Sequence, residues 1–87
     1  MEIGEIVYSK AGRDRGRYFA VVEIVGEGFV RVADGDVRRI KNAKLKNVKH
    51  LRSTGDRLEK IADKLARGAQ VFDKELYSAL RMYGADK

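Results

Sequence analysis

The chain has 87 residues, with 19 lysines and arginines against 13 aspartates and glutamates, and a formal net charge of +6. It has no cysteine, which excludes a disulfide framework and a thiolate metal site, and no apolar run near the roughly 18 residues of a membrane span. These properties are typical of one small domain, and we expect a cytoplasmic protein.

Short β-branched and aromatic runs bounded by glycine fill the first half of the chain. They predict strands at residues 5–9, 18–25 and 29–33, with weaker candidates at 39–40 and 48–51. The glycine-containing segments 26–28 and 34–36 predict tight turns. Four or five short strands in about 50 residues favour a small antiparallel barrel.

Both faces of the predicted strand 18–25 are apolar. Ala20 and Val22 lie on one face, and Phe19 and Val21 lie on the other. We expect one face to fill the barrel and the second half of the chain to cover the other.

The apolar period changes from that of strands to that of helices at about residue 52. A first helical stripe consists of Leu58, Ile61, Ala62 and Leu65. Ser53 or Thr54 is placed to cap this helix, and Gly68 is placed to end it.

A second helical stripe consists of Leu76, Tyr77, Leu80 and Tyr83. Asp73 is a suitable N-cap for this helix, and Gly84 marks its expected end. We therefore expect residues 1–52 to form the barrel and residues 53–87 to form a helical appendage packed on it, within one compact unit. Burial of the second stripe between two chains is the alternative, so the oligomeric state stays open.

Positive charge is concentrated in the first part of the chain. Residues 1–52 contain twelve basic and seven acidic side chains, whereas residues 53–87 contain seven and six. The run 38–52 has no acid and seven cations, namely Arg38, Arg39, Lys41, Lys44, Lys46, Lys49 and Arg52. Such a run repels itself unless a polyanion or counterions neutralise it, so nucleic acid is the first partner to consider.

A second basic element, residues 10–17, lies in the loop between the first two predicted strands. Gly12 and Gly16 lack Cβ atoms, so this loop can turn sharply and approach a sugar-phosphate backbone. Arg13, Arg15 and Arg17 offer planar forks that can each donate two hydrogen bonds to phosphate. An ordinary solvated hairpin would explain this loop alone, but the second basic run favours a binding function.

An aromatic side chain beside the loop could stack on an unpaired base. Tyr18 and Phe19 point to opposite faces of the strand, so we expect only one of them to reach a ligand. Tyr18 is the better candidate because it follows Arg17.

Residues 6–22 resemble a KOW motif, in which a strand, a basic glycine-containing loop and a second strand form part of an SH3-like barrel. Residues 29–35, 37–39 and 46–51 resemble the downstream part of the fourteen-e family of large-subunit ribosomal proteins. The resemblance covers roughly residues 2–52, and the predicted helices of residues 53–87 are not matched to this family. It implies RNA binding, commonly to ribosomal RNA, through the loop and neighbouring strands.

The expected RNA-binding residues follow from the loop and the basic run taken together. They are Lys10, Gly12, Arg13, Arg15, Gly16, Arg17, Tyr18, Arg38, Arg39, Lys41, Lys44, Lys46 and Lys49.

Other classes of function find little support. The chain has a single histidine, His50, and no pair of carboxylates in an apolar setting, so we expect no enzyme, no metal site and no cofactor. One alternative is a protein-interaction module that docks on a transcription or translation factor through the barrel or the helices. Attachment to acidic membrane is a weaker alternative, because no apolar helix face adjoins the basic run.

Overall fold

The computed structural model describes residues 1–85 and contains five strands followed by two helices. The strands are β1 (Glu5–Ser9), β2 (Tyr18–Gly26), β3 (Phe29–Ala33), β4 (Lys44–Asn47) and β5 (Leu51–Arg57), and the helices are α1 (Glu59–Ala66) and α2 (Asp73–Ala85). The strands pair antiparallel in the order β4-β3-β2-β1-β5. The prediction of a mostly β fold with two helices after it is confirmed. Within the described residues, no pairing of β4 with β5 closes this sheet into a barrel.

The two weaker strand predictions were wrong. Ile40–Asn42 and Val48–His50 form short 3₁₀ helices, and the fourth strand lies between them. The Asn47 side chain accepts a hydrogen bond from the backbone N–H of Lys49 at 2.9 Å, which turns the chain between β4 and β5.

The predicted cap of the first helix was also wrong. Ser53 and Thr54 belong to β5, where Ser53 pairs with Val7 of β1 and the Thr54 hydroxyl donates to the Ile6 carbonyl at 2.7 Å. Pairing with β1 therefore keeps this segment extended, and α1 begins only at Glu59. Gly68, with φ of +72°, follows the end of α1 as predicted.

The sheet carries an apolar layer on each face, as predicted for the strand 18–25. The inner layer consists of Val7, Phe19, Val21, Val30, Val32 and Leu51. In the outer layer, Ala20 and its neighbours in β1 and β3 pack against Ile61 of α1 and against Leu76 and Leu80 of α2. The helices therefore cover the sheet, and Leu76 and Leu80 of the second stripe are buried within the chain.

Glycine allows the second helix to approach the sheet closely. Gly35 has φ of +78° in the predicted turn 34–36, and a Cβ atom there would collide with the backbone of Asp73 and Tyr77 in α2. The Asp73 carboxylate accepts a hydrogen bond from the Ile40 N–H at 2.7 Å, so it ties the helix to the first 3₁₀ segment. The expected end at Gly84 was wrong, since α2 continues to Ala85.

Candidate nucleic-acid interface

The basic loop joins β1 to β2 and is held by backbone hydrogen bonds. The Gly16 N–H donates to the Ser9 carbonyl and the Ser9 N–H donates to the Arg17 carbonyl, each at 3.0 Å. Gly12 and Gly16 have φ of +79° and +90°, so both use the left-handed region that other residues avoid. The loop thus has a defined shape, and it presents Arg13 and Arg15 to solvent.

Asp14 is the one loop residue whose side chain turns inward. Its side chain is 5% exposed, and Oδ2 lies 2.9 Å from Lys44 Nζ, 3.6 Å from Lys46 Nζ and 4.0 Å from Arg38 Nε. Burial raises the pKa of the Asp14 carboxyl, but the hydrogen bond from Lys44 and the charges of Lys44, Lys46 and Arg38 together hold that pKa below its ordinary value. The ionised carboxylate therefore joins the loop to the basic run.

This cluster changes the interpretation of the basic run. The sequence suggested seven cations with no anion near them, but Asp14 reaches three of them from the loop. The three cations and one carboxylate leave a local balance of +2. Neutralisation from within the chain lets these lysines lie close together before any polyanion binds.

Lys46 is buried among the expected contact residues. It is 7% exposed, because β4 turns it to the same face as its partner Val30 in β3. Its ammonium lies 3.4 Å from the Ser9 hydroxyl, beneath the start of the loop. This position gives Lys46 little surface for a ligand and a clear role in supporting the loop.

The remaining expected cations are exposed but do not all lie on one surface. Lys10, Arg13, Arg15 and Arg17 belong to the loop, and Arg39, Lys41 and Lys49 belong to the run. The Lys10 N–H donates to the His50 carbonyl at 2.9 Å, which places the loop beside the 3₁₀ helix that carries Lys49. Lys41 instead lines a separate cleft of about 570 Å³ with Val22 and Leu65.

Aromatic rings lie beside the loop, as expected. The Tyr18 ring packs edge-on against Tyr8 at 5.5 Å and against Tyr83 of α2 at 5.4 Å, measured between ring centroids. Phe19 is fully buried in the inner layer. Tyr18 and Phe19 therefore lie on opposite faces of β2 as predicted, and contact between Tyr18 and a ligand stays a prediction.

Arg52 is a cation that the expected contact set did not include. It is exposed, it pairs with Tyr8 across β1 and β5, and its guanidinium carbon lies 5.2 Å from the centre of the Tyr8 ring. A cation over an aromatic face at this distance is held by electrostatic attraction. In the sequence, only its position as the last cation of the run pointed to Arg52. Its contact with Tyr8 could not be predicted, because it depends on the pairing of β5 with β1.

Two further properties of residues 1–85 concern metal binding and membranes. In that part of the chain no group of three or more histidine, aspartate or glutamate side chains could hold a metal ion. The helices within these residues are too short or too polar to span a bilayer.

Comparison with known proteins shows a curated relative that matches most of the chain. No protein-family model matches the chain. Large ribosomal subunit protein eL14 of Staphylothermus marinus is 33% identical over 84 residues, which cover 97% of this chain and 80% of the relative. The alignment extends through α1 and α2, which the motif resemblance had left unmatched.

Proposed function

Because this chain belongs to the eL14 family of large ribosomal subunit proteins, we propose that it binds ribosomal RNA through the basic loop and the adjoining basic run. One observation carries the assignment to the loop. The inward Asp14 anchors the loop on β4, while Arg13 and Arg15 on either side of it point to solvent. A fixed loop with outward guanidinium groups is suited to gripping a phosphate backbone.

The contact surface extends from the loop to its neighbours. The Lys10 backbone is hydrogen-bonded to His50, in the 3₁₀ helix that also carries Lys49, and the Arg52 guanidinium lies over the Tyr8 ring. These exposed cations supply the charge, and Lys46 with Asp14 supplies the support beneath them. The proposed RNA contacts also include Arg39 and Lys41, of which Lys41 lies in the separate cleft lined by Val22 and Leu65.

Salt dependence of RNA binding tests the assignment. Each phosphate neutralised on a single strand contributes about −0.7 to the slope of log K against log salt concentration, so five contacts give a slope of about −3.5. A variant with Arg13→Ala and Arg15→Ala would bind more weakly, and its slope would be shallower by about 1.4.

A matched control removes the same charge elsewhere. Lys60 and Lys74 are exposed cations of the helical part, outside the proposed surface. Lys60→Ala with Lys74→Ala would leave the slope close to that of the natural chain. Equal changes of this slope in the two double variants would contradict binding through the loop, because they would show that only the net charge of the chain matters.

We further propose that the five strands form an SH3-like barrel of the KOW type. The chain passes from β4 to β5 through only three residues, so the two edges of the sheet are consecutive elements. The Val48 N–H donates to the Gly28 carbonyl at 2.9 Å, which holds this connection against the β2–β3 turn. The helices share an apolar layer with the sheet, which supports one compact unit rather than two domains.

The proposed role is that of a structural RNA-binding protein without catalysis, working in translation at cytoplasmic ribosomes. Docking on a protein factor through the second helical stripe receives less support. Leu76 and Leu80, which would form that surface, are 0% and 6% exposed.

A further inference from the structure

A small cleft lies between α2 and the strand ends next to the basic loop. It has a volume of about 200 Å³ and is lined by Arg17, Tyr18, Asp34, Asp36, Tyr77 and Arg81, with Leu80 beside them. Pockets for drug-sized ligands usually measure about 300–1,000 Å³, so this cleft suits a single planar ring system.

The walls of the cleft are firmly positioned. The turn that carries Asp34 and Asp36 contacts the backbone of α2 at Gly35, where a Cβ atom could not fit. Tyr18 is held edge-on by two other tyrosine rings. Tyr77 is 37% exposed, and its hydroxyl accepts a hydrogen bond from Arg81 Nη1 at 2.9 Å. An exposed ring held in this way offers a prepared stacking surface.

The cleft contains both cationic and anionic side chains. Arg17 and Arg81 are exposed cations suited to phosphate. Asp34 is 7% exposed, and its Oδ1 accepts hydrogen bonds from the N–H groups of Asp36 at 2.9 Å and Arg38 at 2.8 Å. Its Oδ2 lies 4.0 Å from Arg17 Nη1, which is longer than a hydrogen bond, so this oxygen can still accept one.

We propose that this cleft receives one unpaired nucleotide of the bound RNA, with the base stacked on Tyr77, an amino group of the base donating to Asp34 or Asp36, and the adjacent phosphates held by Arg17 and Arg81. The site rests on the proposed RNA binding and adds base recognition to it. Carboxylates accept hydrogen bonds from base amino groups. Guanine, adenine and cytosine carry such a group and uracil does not, so the cleft discriminates against uracil.

Nucleotide titration of the full chain, followed by amide signals in nitrogen-15 NMR spectra, tests the site directly. The probes are GMP, UMP and ribose 5-phosphate at matched concentrations. We expect GMP to move the signals of Asp36, Tyr77 and Arg81 to saturation, UMP to bind more weakly, and ribose 5-phosphate, which lacks a base, to move the Arg81 signal slightly and leave those of Asp36 and Tyr77 in place. Equal movement with all three probes, or none with GMP, would overturn the site, and neither result depends on a variant that must fold.

Substitution of the stacking ring provides a second test. Tyr77→Ala would weaken GMP binding roughly 5- to 150-fold, the range for stacking one base on an aromatic ring, whereas Tyr77→Phe would retain it. Phe72→Ala is the matched control, because Phe72 is another exposed aromatic residue at the start of α2 and does not line the cleft. Unchanged GMP affinity in Tyr77→Ala would refute stacking.

The cleft and the RNA-binding surface can be refuted separately. Loss of the nucleotide result with loop-dependent RNA binding intact would overturn the cleft alone. Loss of loop-dependent binding with the GMP titration intact would overturn the proposed RNA surface.

Discussion

Replacing Asp14 by asparagine tests whether this carboxylate holds the basic loop in place. The substitution keeps the size of the side chain but leaves the ammonium groups of Lys44 and Lys46 without their anion at 2.9 and 3.6 Å. The Lys46 side chain is 8% exposed, so water can do little to replace the lost charge.

The expected loss of stability can be estimated from this geometry. Two unit charges about 4 Å apart attract by about 4 kcal/mol at an effective dielectric constant near 20, and the cost of burying the carboxylate offsets part of that attraction. Removing one partner of a buried pair typically costs about 3–5 kcal/mol, and the partial exposure of Lys44 places Asp14→Asn at about 3 kcal/mol. For a domain of this size, that corresponds to a fall in melting temperature of about 12–24 °C.

Urea unfolding followed by circular dichroism measures this loss without adding salt. Asp36→Asn is the matched control, since Asp36 is exposed, and its unfolding free energy should stay within about 0.5 kcal/mol of the natural chain. Adding Lys46→Met to Asp14→Asn should recover part of the loss, because it removes the unpaired buried charge. An Asp14→Asn chain as stable as the control would refute the anchoring role.

The pH dependence gives a further check on the same residue. The folded-state pKa of Asp14 is lowered, so its contribution is fully present above its unfolded pKa of about 3.9 and is lost as pH falls through the folded value. The difference in unfolding free energy between the natural chain and Asp14→Asn should therefore be constant near neutral pH and shrink below about pH 4.

Three other substitutions test the packing of the sheet and helices. Gly35→Ala should destabilise the chain by about 2–4 kcal/mol in urea unfolding, because it combines a positive φ with a collision against α2. Gly12 has a similar φ but open space around it, so Gly12→Ala should cost only about 1 kcal/mol. Equal costs of the two substitutions would argue against the close approach of Gly35 to α2. Phe19→Ala should cost about 3–5 kcal/mol by the same assay, since the ring is fully buried, and a cost below about 1 kcal/mol would contradict the inner layer. The hydrogen bond from Lys64 lowers the pKa of Glu75, so Glu75→Gln should lower the melting temperature at neutral pH, and the difference should shrink as the pH falls below about 4.3, the ordinary value for a glutamate. A difference that grows in acid would contradict this ion pair.

The strands with clear apolar character were predictable from the sequence. β1 and β3 have the predicted bounds, and β2 extends one residue further, to Gly26. Most of their β-branched and aromatic residues are buried on one face of the sheet or the other, apart from the exposed end of β2 and Phe29, so local pattern and tertiary environment largely agree.

The outer strands were harder to predict because their partners, rather than their own residues, determine them. β4 contains Lys44 and Lys46, which resembled a solvated basic run, yet pairing with β3 turns both toward the Asp14 side of the sheet. Ser53 and Thr54 resemble a helix cap, but pairing with β1 keeps them extended. In both places, therefore, strand pairing rather than local propensity determines the structure.

In the candidate site, too, local features were predictable from the sequence and features that depend on distant partners were not. The loop and its glycines were recognisable, since glycine spacing and charge are local features. The role of Asp14 depends on Lys44, which lies 30 positions away in the chain and meets it only after the sheet forms. The cleft beside Tyr77 likewise requires the turn 34–36 to contact α2.

Ultraviolet crosslinking in cells, followed by sequencing of the attached RNA, tests the central claim most directly. The natural chain would be compared with the Arg13→Ala and Arg15→Ala double variant and with the Lys60→Ala and Lys74→Ala control. We expect crosslinks concentrated at a few positions of large-subunit ribosomal RNA, lost in the loop variant and kept in the control. Scattered crosslinks that both variants leave unchanged would contradict binding of ribosomal RNA through the basic loop.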